Sequence, residues 1–366
     1  MSTPAPQTPR VSVIIPVYNA VEHLDECVQS LVDQTLGFDR MEVIAIDDGS
    51  TDGSAEALDR WAAAHRNITV VHQPNSGAPG GPRNRGIDLA TGEFLFFADP
   101  DDYLGAEALE RLTAAADRDS SDVVLGRTKG VGRTAAVAPF AHNVEAGDIW
   151  TTKGVWALTA HKLFRRALVE KHRLRFAEGL RLAEEQVFIV PAYFLAASIS
   201  VVADYDCYYL VRRDDFPHLT QQTPEPEPFY RNVRDVLDIV VKHTEPGGKR
   251  NDLLKRWVTQ EILRYFKGGF PAMPAERQQR FVAQAGALLR DFIPDEVTRP
   301  LPPLDRLRCQ LLRTEQTEEL AALAALVPKQ QPKPKPKAKA KQPPPPWLSR
   351  AGARRLTRAI QRRIQA

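Results

Sequence analysis

Three acidic clusters concentrate the residues of this chain that could do chemistry: Asp47-Asp48, Asp99-Pro100-Asp101-Asp102, and Glu184-Glu185. Carboxylates are costly to hold together in a dry site unless a cation or a pairing network compensates them. A divalent ion with a bound diphosphate would supply that compensation. The first cluster follows the apolar run Val43 to Ile46 and the second follows Phe94 to Ala98, which places both at the C-terminal ends of expected buried strands. Ligands collect at that edge of an open α/β sheet.

The elements that must position these groups follow from hydrophobic periodicity. Val11 to Val17 reads as a strand ending near Pro16, Tyr18 and Asn19, and Glu22 to Leu36 has the apolar spacing of a helix. Strands at Val43 to Ile46, Ile68 to Val71 and Phe94 to Ala98, with a helix over Thr51 to Ala64, continue the alternation. The pattern predicts an α/β fold with a mostly parallel sheet flanked by helices. Between the third and fourth strands, residues 75–86 (NSGAPGGPRNRG) hold four glycines and two prolines. This segment is expected to stay irregular until a helix after Arg83 and to let backbone approach a ligand closely.

Farther on, the spacing predicts a helix and strand around Lys153 to Phe164, a helix from Glu184 to Ala197 and a strand from Ser200 to Tyr205, a half expected to serve an acceptor. Helical spacing then dominates residues 225–325. The resulting division is a disordered N-terminus (1–9), a strand-and-helix unit with all three acidic clusters (10–222), and a helical accessory region (223–327). A Lys/Pro-rich linker (328–346) and a basic amphipathic helix (347–366) complete it. No internal repeat is visible.

A chain of 366 residues, 43% of them hydrophobic, can bury a sizeable core. No run of about 18 apolar residues occurs and the N-terminus lacks the pattern of a secretory signal, which predicts a cytoplasmic protein. Cys27, Cys207 and Cys309 are odd in number and widely spaced, arguing for buried thiols over a disulfide framework or a zinc site. The net charge of +3 conceals an asymmetry, because residues 328–366 contain six Lys, six Arg and no acid. In the tail helix Leu348, Leu356, Ile360 and Ile364 line one side, with Arg350, Arg354, Arg358 and Arg362 opposite. Such a helix suits peripheral contact with an anionic membrane or partner, with packing on the acidic body of its own chain as the alternative. The lack of stacking aromatics in the tail argues against nucleic acid.

Five motifs, SVIIPVYNA at 12–20, IDDGSTDGS at 46–54, NSGAPGGPRNRG at 75–86, FFADPDDYL at 96–104 and RFAEGLRLAEEQVF at 175–188, together resemble the family 2 inverting glycosyltransferases of GT-A fold. The resemblance covers about residues 10–222. The LRLAEEQVF element and the YYLVRRDDF segment after it are most similar in appearance to bacterial enzymes that glycosylate cell-wall polymers such as teichoic acids.

The resemblance implies a UDP-sugar donor, such as UDP-N-acetylglucosamine, a glycopolymer acceptor, and Mn²⁺ or Mg²⁺, ions suited to hard oxygen ligands. It implies that Pro16, Tyr18 and Asp48 meet the nucleotide, with Tyr18 stacking on uracil and Asp48 accepting its imide hydrogen. Asn75 and Arg83 would contact nucleotide and diphosphate, while Asp99 and Asp101 form a DxD element that holds ribose and metal, with His218 as a third metal ligand. Glu185 stands at the position of the catalytic base, where most relatives have Asp, so either Glu185 or Glu184 is the working residue. Arg212 and Arg213 precede a loop, Asp214 to Gln222, that could close over the diphosphate. The accessory helices could also form a homo-oligomer interface.

Each motif has a plainer reading: a turn and helix cap for Asp47 to Ser50, a solvated first helical turn for Glu184-Glu185, a polar loop residue for His218 and surface arginines at Arg85, Arg212 and Arg213. Two other functions compete. A sugar-phosphate nucleotidyltransferase would begin with a glycine-rich signature and a Lys, which VSVIIPVYNA lacks. A catalytically inactive glycan-binding scaffold is consistent with Glu at the base position.

Overall fold

A computed structural model describes residues 8–213 and 223–326 of the chain. The expected disorder of the N-terminus falls largely outside these residues. His218 and its loop, the Lys/Pro-rich linker and the basic tail helix fall wholly outside them.

The first half alternates as its apolar runs predict: β1 (Val11–Val17), α1 (Val21–Val32), β2 (Met41–Asp47), α2 (Ser54–Ala64), β3 (Ile68–His72), α3 (Gly80–Leu89) and β4 (Phe94–Phe97). These four strands pair in parallel in the order β3-β2-β1-β4, with Val13 beside both Val43 and Phe96. Every residue of β1 and β4 is buried, as inner strands with both faces covered require.

Then come β5 (Tyr103–Leu104), α4 (Ala108–Arg118), β6 (Val123–Val131), β7 (Val144–Gly147), β8 (Lys162–Arg165), α5 (Arg166–Lys171), α6 (Gln186–Leu195) and β9 (Ile199–Val211). Here the sheet becomes mixed. β8 runs antiparallel to both β4 and β6, β9 runs parallel to β6, and β5 and β7 are antiparallel to β9. No α-helix separates β6 from β8, so nothing forces a parallel crossover between them.

Two helices in the parallel half, α2 and α3, start three residues or more from where periodicity suggests. α2 begins at Ser54 rather than Thr51, because Asp52 accepts the amide hydrogens of Ser54 and Val21 at 3.0 Å each and draws the chain into a side-chain turn. α3 begins at Gly80 rather than after Arg83, so the glycine-rich segment is helical over its second half. Pro82 is tolerated there because the first turn of a helix has no intrahelical use for its N–H. A Cβ on Gly86 would lie 2.3 Å from Ile14 Cγ2, and one on Gly80 would lie 2.1 Å from the Ala177 carbonyl oxygen. These glycines therefore let α3 press against β1 and against the segment leading to Glu184.

The last part is helical as expected: α7 (Pro226–Lys242), α8 (Gly248–Trp257), a π-helical turn (Val258–Ile262), α9 (Ala275–Phe292), α10 (Asp295–Thr298), α11 (Pro303–Arg313) and α12 (Thr317–Leu326). One face of the sheet (Val13, Val43, Phe96) packs on α1, α2 and α4. The opposite face (Ile14, Ile46, Phe97) forms one continuous core with α3, α6 and the helical region, through Phe229, Tyr230 and Trp257. Phe97 lies edge-on to Phe164, Phe176 and Phe188, with ring centroids 4.9–6.0 Å away. Truncating such a buried ring typically costs about 3–5 kcal/mol. Cys27, Cys207 and Cys309 are buried and unpaired, as expected.

Candidate active site

A cleft of about 860 Å³ opens over the C-terminal edge of β1, β2 and β4 and is lined by residues of all three acidic clusters. On one side Tyr18, just past β1, lines the cleft and is 51% exposed. Asp48 is buried beside it and accepts hydrogen bonds from the Ser76 backbone (3.0 Å), Ser76 Oγ (2.9 Å) and Gln73 Nε2 (2.7 Å). Asp47 instead accepts from the Ser50 amide at 3.1 Å and pairs with His72 at 2.9 Å. The turn function thus falls to Asp47, and Asp48 is the carboxylate at the cleft. Pro16 and Asn75 line the same side.

The DxD segment follows β4. Its two neighbouring carboxylates, Asp101 and Asp102, go different ways. Asp101 lies 3.0 Å from Arg213 Nε, whereas Asp102 is buried, accepts the Val211 amide hydrogen at 2.8 Å and turns inward. Among the described residues, the group able to hold a cation is Asp99, Asp102 and His161, whose ligand atoms all lie within 4.8 Å of one another. His161, the residue before β8, is stacked on Tyr208 at 4.1 Å, and the Tyr208 hydroxyl accepts the Asp99 amide hydrogen at 2.9 Å.

Charge in this cluster is under-compensated. Burial, with the Asp101 and Asp99 charges, pushes the Asp102 carboxyl well above the usual carboxylate range, and burial beside Asp99 raises Asp101 as well. Burial would raise Asp99 too, but the Arg83 guanidinium holds it below its ordinary value. Burial takes the His161 imidazole down to about 4, which leaves it neutral at pH 7, and its Nε2 lies 3.6 Å from Asp99 Oδ2. Carboxylates that repel one another beside a neutral imidazole nitrogen fit a divalent cation. Asp101 is not in this group.

Arg83, buried in α3 and packed over Phe176, donates to Asp99 Oδ1 and to Glu184 Oε1, each at 2.8 Å. It joins the DxD segment to the base candidates, and its fork is occupied by protein carboxylates. Removing it would strand two acids, a loss on the order of 3–5 kcal/mol for a buried pair. The helix expected from Glu184 begins at Gln186, with Glu185 as the residue preceding its first turn. Of the two candidate bases, Glu184 is engaged by Arg83. Burial, then the charge of Glu184, pushes Glu185 well above the usual carboxylate range. Lys162 is fully buried nearby, donates to the Thr159 carbonyl and is brought down to about 7 by burial, against the opposing pull of Glu185.

Of the two arginines expected at the donor, Arg213 lines the cleft and Arg212 does not, because successive residues leaving β9 point to opposite sides. Arg85 is exposed on α3. Sequence reasoning missed His161, Lys162, Arg133 and Arg181, and named Asp102 only as a member of its acidic cluster; all of them are at or beside the cleft. The available signal was the pair His161-Lys162 immediately before the apolar Leu163-Phe164, polar groups at the mouth of a buried strand.

Residues 12–179 match the glycosyl transferase family 2, and residues 226–324 match the glycosyl transferase TarS linker domain. The glycosyltransferase GlyG of Streptococcus pneumoniae is 30% identical over 219 residues, which make up 56% of this chain and 70% of that protein. The chain belongs to glycosyltransferase family 2. Within the family it is similar to teichoic acid glycosyltransferases. The poly(ribitol-phosphate) beta-glucosyltransferase of Bacillus spizizenii is 39% identical over 233 residues, 63% of this chain and 37% of that protein. TarS of Staphylococcus aureus, a poly(ribitol-phosphate) beta-N-acetylglucosaminyltransferase, is 33% identical over 290 residues, 79% of this chain and 50% of that protein. The crystal structure of TarS 1–349 in complex with UDP-GlcNAc superposes with a TM-score of 0.77 at 28% identity, covering 86% of this chain and 90% of that one. The chain thus spans half or less of the length of these two wall-polymer relatives.

Proposed function

We propose that this family 2 member is an inverting, metal-dependent glycosyltransferase that moves a sugar from a UDP-sugar, with UDP-N-acetylglucosamine as the foremost candidate, to a hydroxyl of a ribitol-phosphate-type wall polymer. The observation that carries this reading is the shared cleft, in which the Asp99-Asp102-His161 group and the Glu184-Glu185 pair face one space and are joined through Arg83. The likeness to TarS with bound UDP-GlcNAc supports the donor class, and the names of both wall-polymer relatives support the acceptor and a β-linked product. A β-linked product from an α-linked sugar nucleotide requires inversion.

In this reading Tyr18 stacks on uracil and Asp48 accepts its imide hydrogen. Asp99, Asp102 and His161 would hold Mn²⁺ or Mg²⁺, which when bound stabilises the negative charge on the departing diphosphate. Arg213 adds a cation on the same side. Glu185 takes the proton of the acceptor hydroxyl as it attacks the anomeric carbon from the opposite face. Arg133 and Arg181 line the cleft and pair with no carboxylate among the described residues, which suits an acceptor that carries phosphates. Cytoplasmic location and tail-mediated contact with an anionic membrane belong to the same proposal. No helix among the described residues is long and apolar enough to cross a membrane.

The test is turnover of UDP-GlcNAc and UDP-glucose with Mn²⁺. Release of UDP supports a transferase, release of pyrophosphate in an exchange assay identifies a nucleotidyltransferase, and no turnover with either donor leaves the inactive scaffold. Asp48→Ala should weaken UDP binding by about 1.5–3 kcal/mol, the contribution of a hydrogen bond to a charged acceptor. Calorimetry with UDP and CDP checks it, and equal affinity of the unsubstituted protein for both would remove Asp48 from base reading.

A further inference from the structure

We infer that the helical region is a working part of the catalytic centre, because it clamps the turn that carries Glu185 from both sides. This inference rests on Glu185 being the base.

The turn is unusual in its backbone. Ala183 has φ +63°, a left-handed conformation that a non-glycine residue adopts only where its surroundings impose it. The imposition comes from residues far along the chain. Asn232, buried in α7, donates its side-chain N–H to the Ala183 carbonyl oxygen at 2.8 Å. On the other side of Glu185, the buried Gln186 side chain is held by the end of α8 and the π-helical turn. Its Oε1 accepts from Trp257 Nε1 at 3.0 Å and lies 3.4 Å from Arg256 Nη1, and its Nε2 donates to Glu261 Oε1 at 2.8 Å. Arg256 also pairs with Glu261 at 2.7 Å, which keeps the buried carboxylate compensated.

The π-helical turn makes this arrangement reachable. Its wider register is seen in the Leu263 amide bonding to the Val258 carbonyl five residues back, and the Tyr230 hydroxyl donates to the Ile262 carbonyl at 3.2 Å. Arg256 and Glu261 therefore meet across five residues and present one carboxylate oxygen to Gln186. Such turns inside helices are frequent at functional sites. Ala183 and Gln186 bracket Glu185, and both are fixed by residues 232–261, so Asn232, Gln186, Trp257 and Glu261 are positioning residues for the base. General-base catalysis depends on orientation that displacements of about 1 Å can spoil by a hundredfold.

The test uses the full chain with Asn232→Leu, which keeps the volume and removes the donor to Ala183, and with Gln186→Met, which removes the bonds to Trp257 and Glu261. Each variant is expected to lose tenfold or more in kcat, while KM for the UDP-sugar and calorimetric UDP affinity stay within about twofold. Amide exchange should rise at residues 183–187 without rising in β1 or β4. Full kcat in both Asn232→Leu and Gln186→Met, or parallel loss of kcat and UDP affinity, would overturn the clamp. If the unsubstituted chain transfers no sugar, the transferase reading fails on its own, and amide exchange at 183–187 still decides whether the helices hold this turn.

Discussion

Glu185→Gln should bind UDP-GlcNAc as tightly as the unsubstituted protein and transfer the sugar at least a hundredfold more slowly, since general-base catalysis contributes about 10²–10⁴. Glutamine keeps the shape and removes the group that takes the proton. Glu184→Gln should lose less in kcat and should also weaken donor binding, because Glu184 anchors the Arg83 side chain that meets Asp99. A larger kcat loss in Glu184→Gln than in Glu185→Gln would move the base to Glu184. The pH dependence follows from the raised Glu185 carboxyl. The base acts only when ionised, so kcat should climb with pH through a range above that of an ordinary carboxylate. Stability runs the opposite way: a carboxyl whose folded pKa exceeds its unfolded one stabilises the fold at low pH, and that contribution is lost as pH rises through the folded value. Glu185→Gln does not titrate, so its Tm relative to the unsubstituted protein should increase with pH. A flat Tm difference between pH 4 and 9 would contradict the burial argument.

Stripping divalent ions with EDTA should abolish transfer, and Mn²⁺ should restore it. His161→Leu should then require at least tenfold more Mn²⁺ for half-maximal rate, since even a residue that only supports a ligand typically contributes 10–100-fold in metal affinity or activity. Direct Mn²⁺ titration by calorimetry or electron paramagnetic resonance separates this from an effect on the sugar. Asp101→Asn is the informative companion. The DxD pattern assigns the ion to Asp101, whereas the geometry gathers Asp102 and His161 around Asp99 and leaves Asp101 beside Arg213. If Asp101→Asn removes Mn²⁺ affinity and His161→Leu leaves it intact, the three-residue cluster is not the metal centre.

The parallel half of the sheet, the edge where the acidic clusters meet and the helical character of residues 226–326 were legible because each rests on apolar periodicity, which the chain displays openly. The motifs added the family. Side-chain choice between neighbours was not legible. Whether Asp101 or Asp102 turns inward is decided by the Val211 amide, 109 residues away, and whether Arg212 or Arg213 enters the cleft depends on how β9 ends. His161 was invisible for a similar reason: it reaches Asp99 only because β8 pairs antiparallel with β4, a partnership no local pattern encodes. α3 starts earlier than its glycines and prolines, as helix breakers, suggest, because close packing on Ile14 and Ala177 gives the glycines their purpose.

The continuous core beneath Phe97, Phe188, Phe229 and Trp257 has a consequence for how such a protein can be inherited and recombined. A cut after residue 222 would expose to water an apolar wall that the shared core covers, so the two family matches, though separable as sequence, are expected to fold as one unit. The described body should melt in a single cooperative transition. A chimera that exchanges residues 12–179 with a relative should tolerate the exchange only when residues 226–324 travel with them.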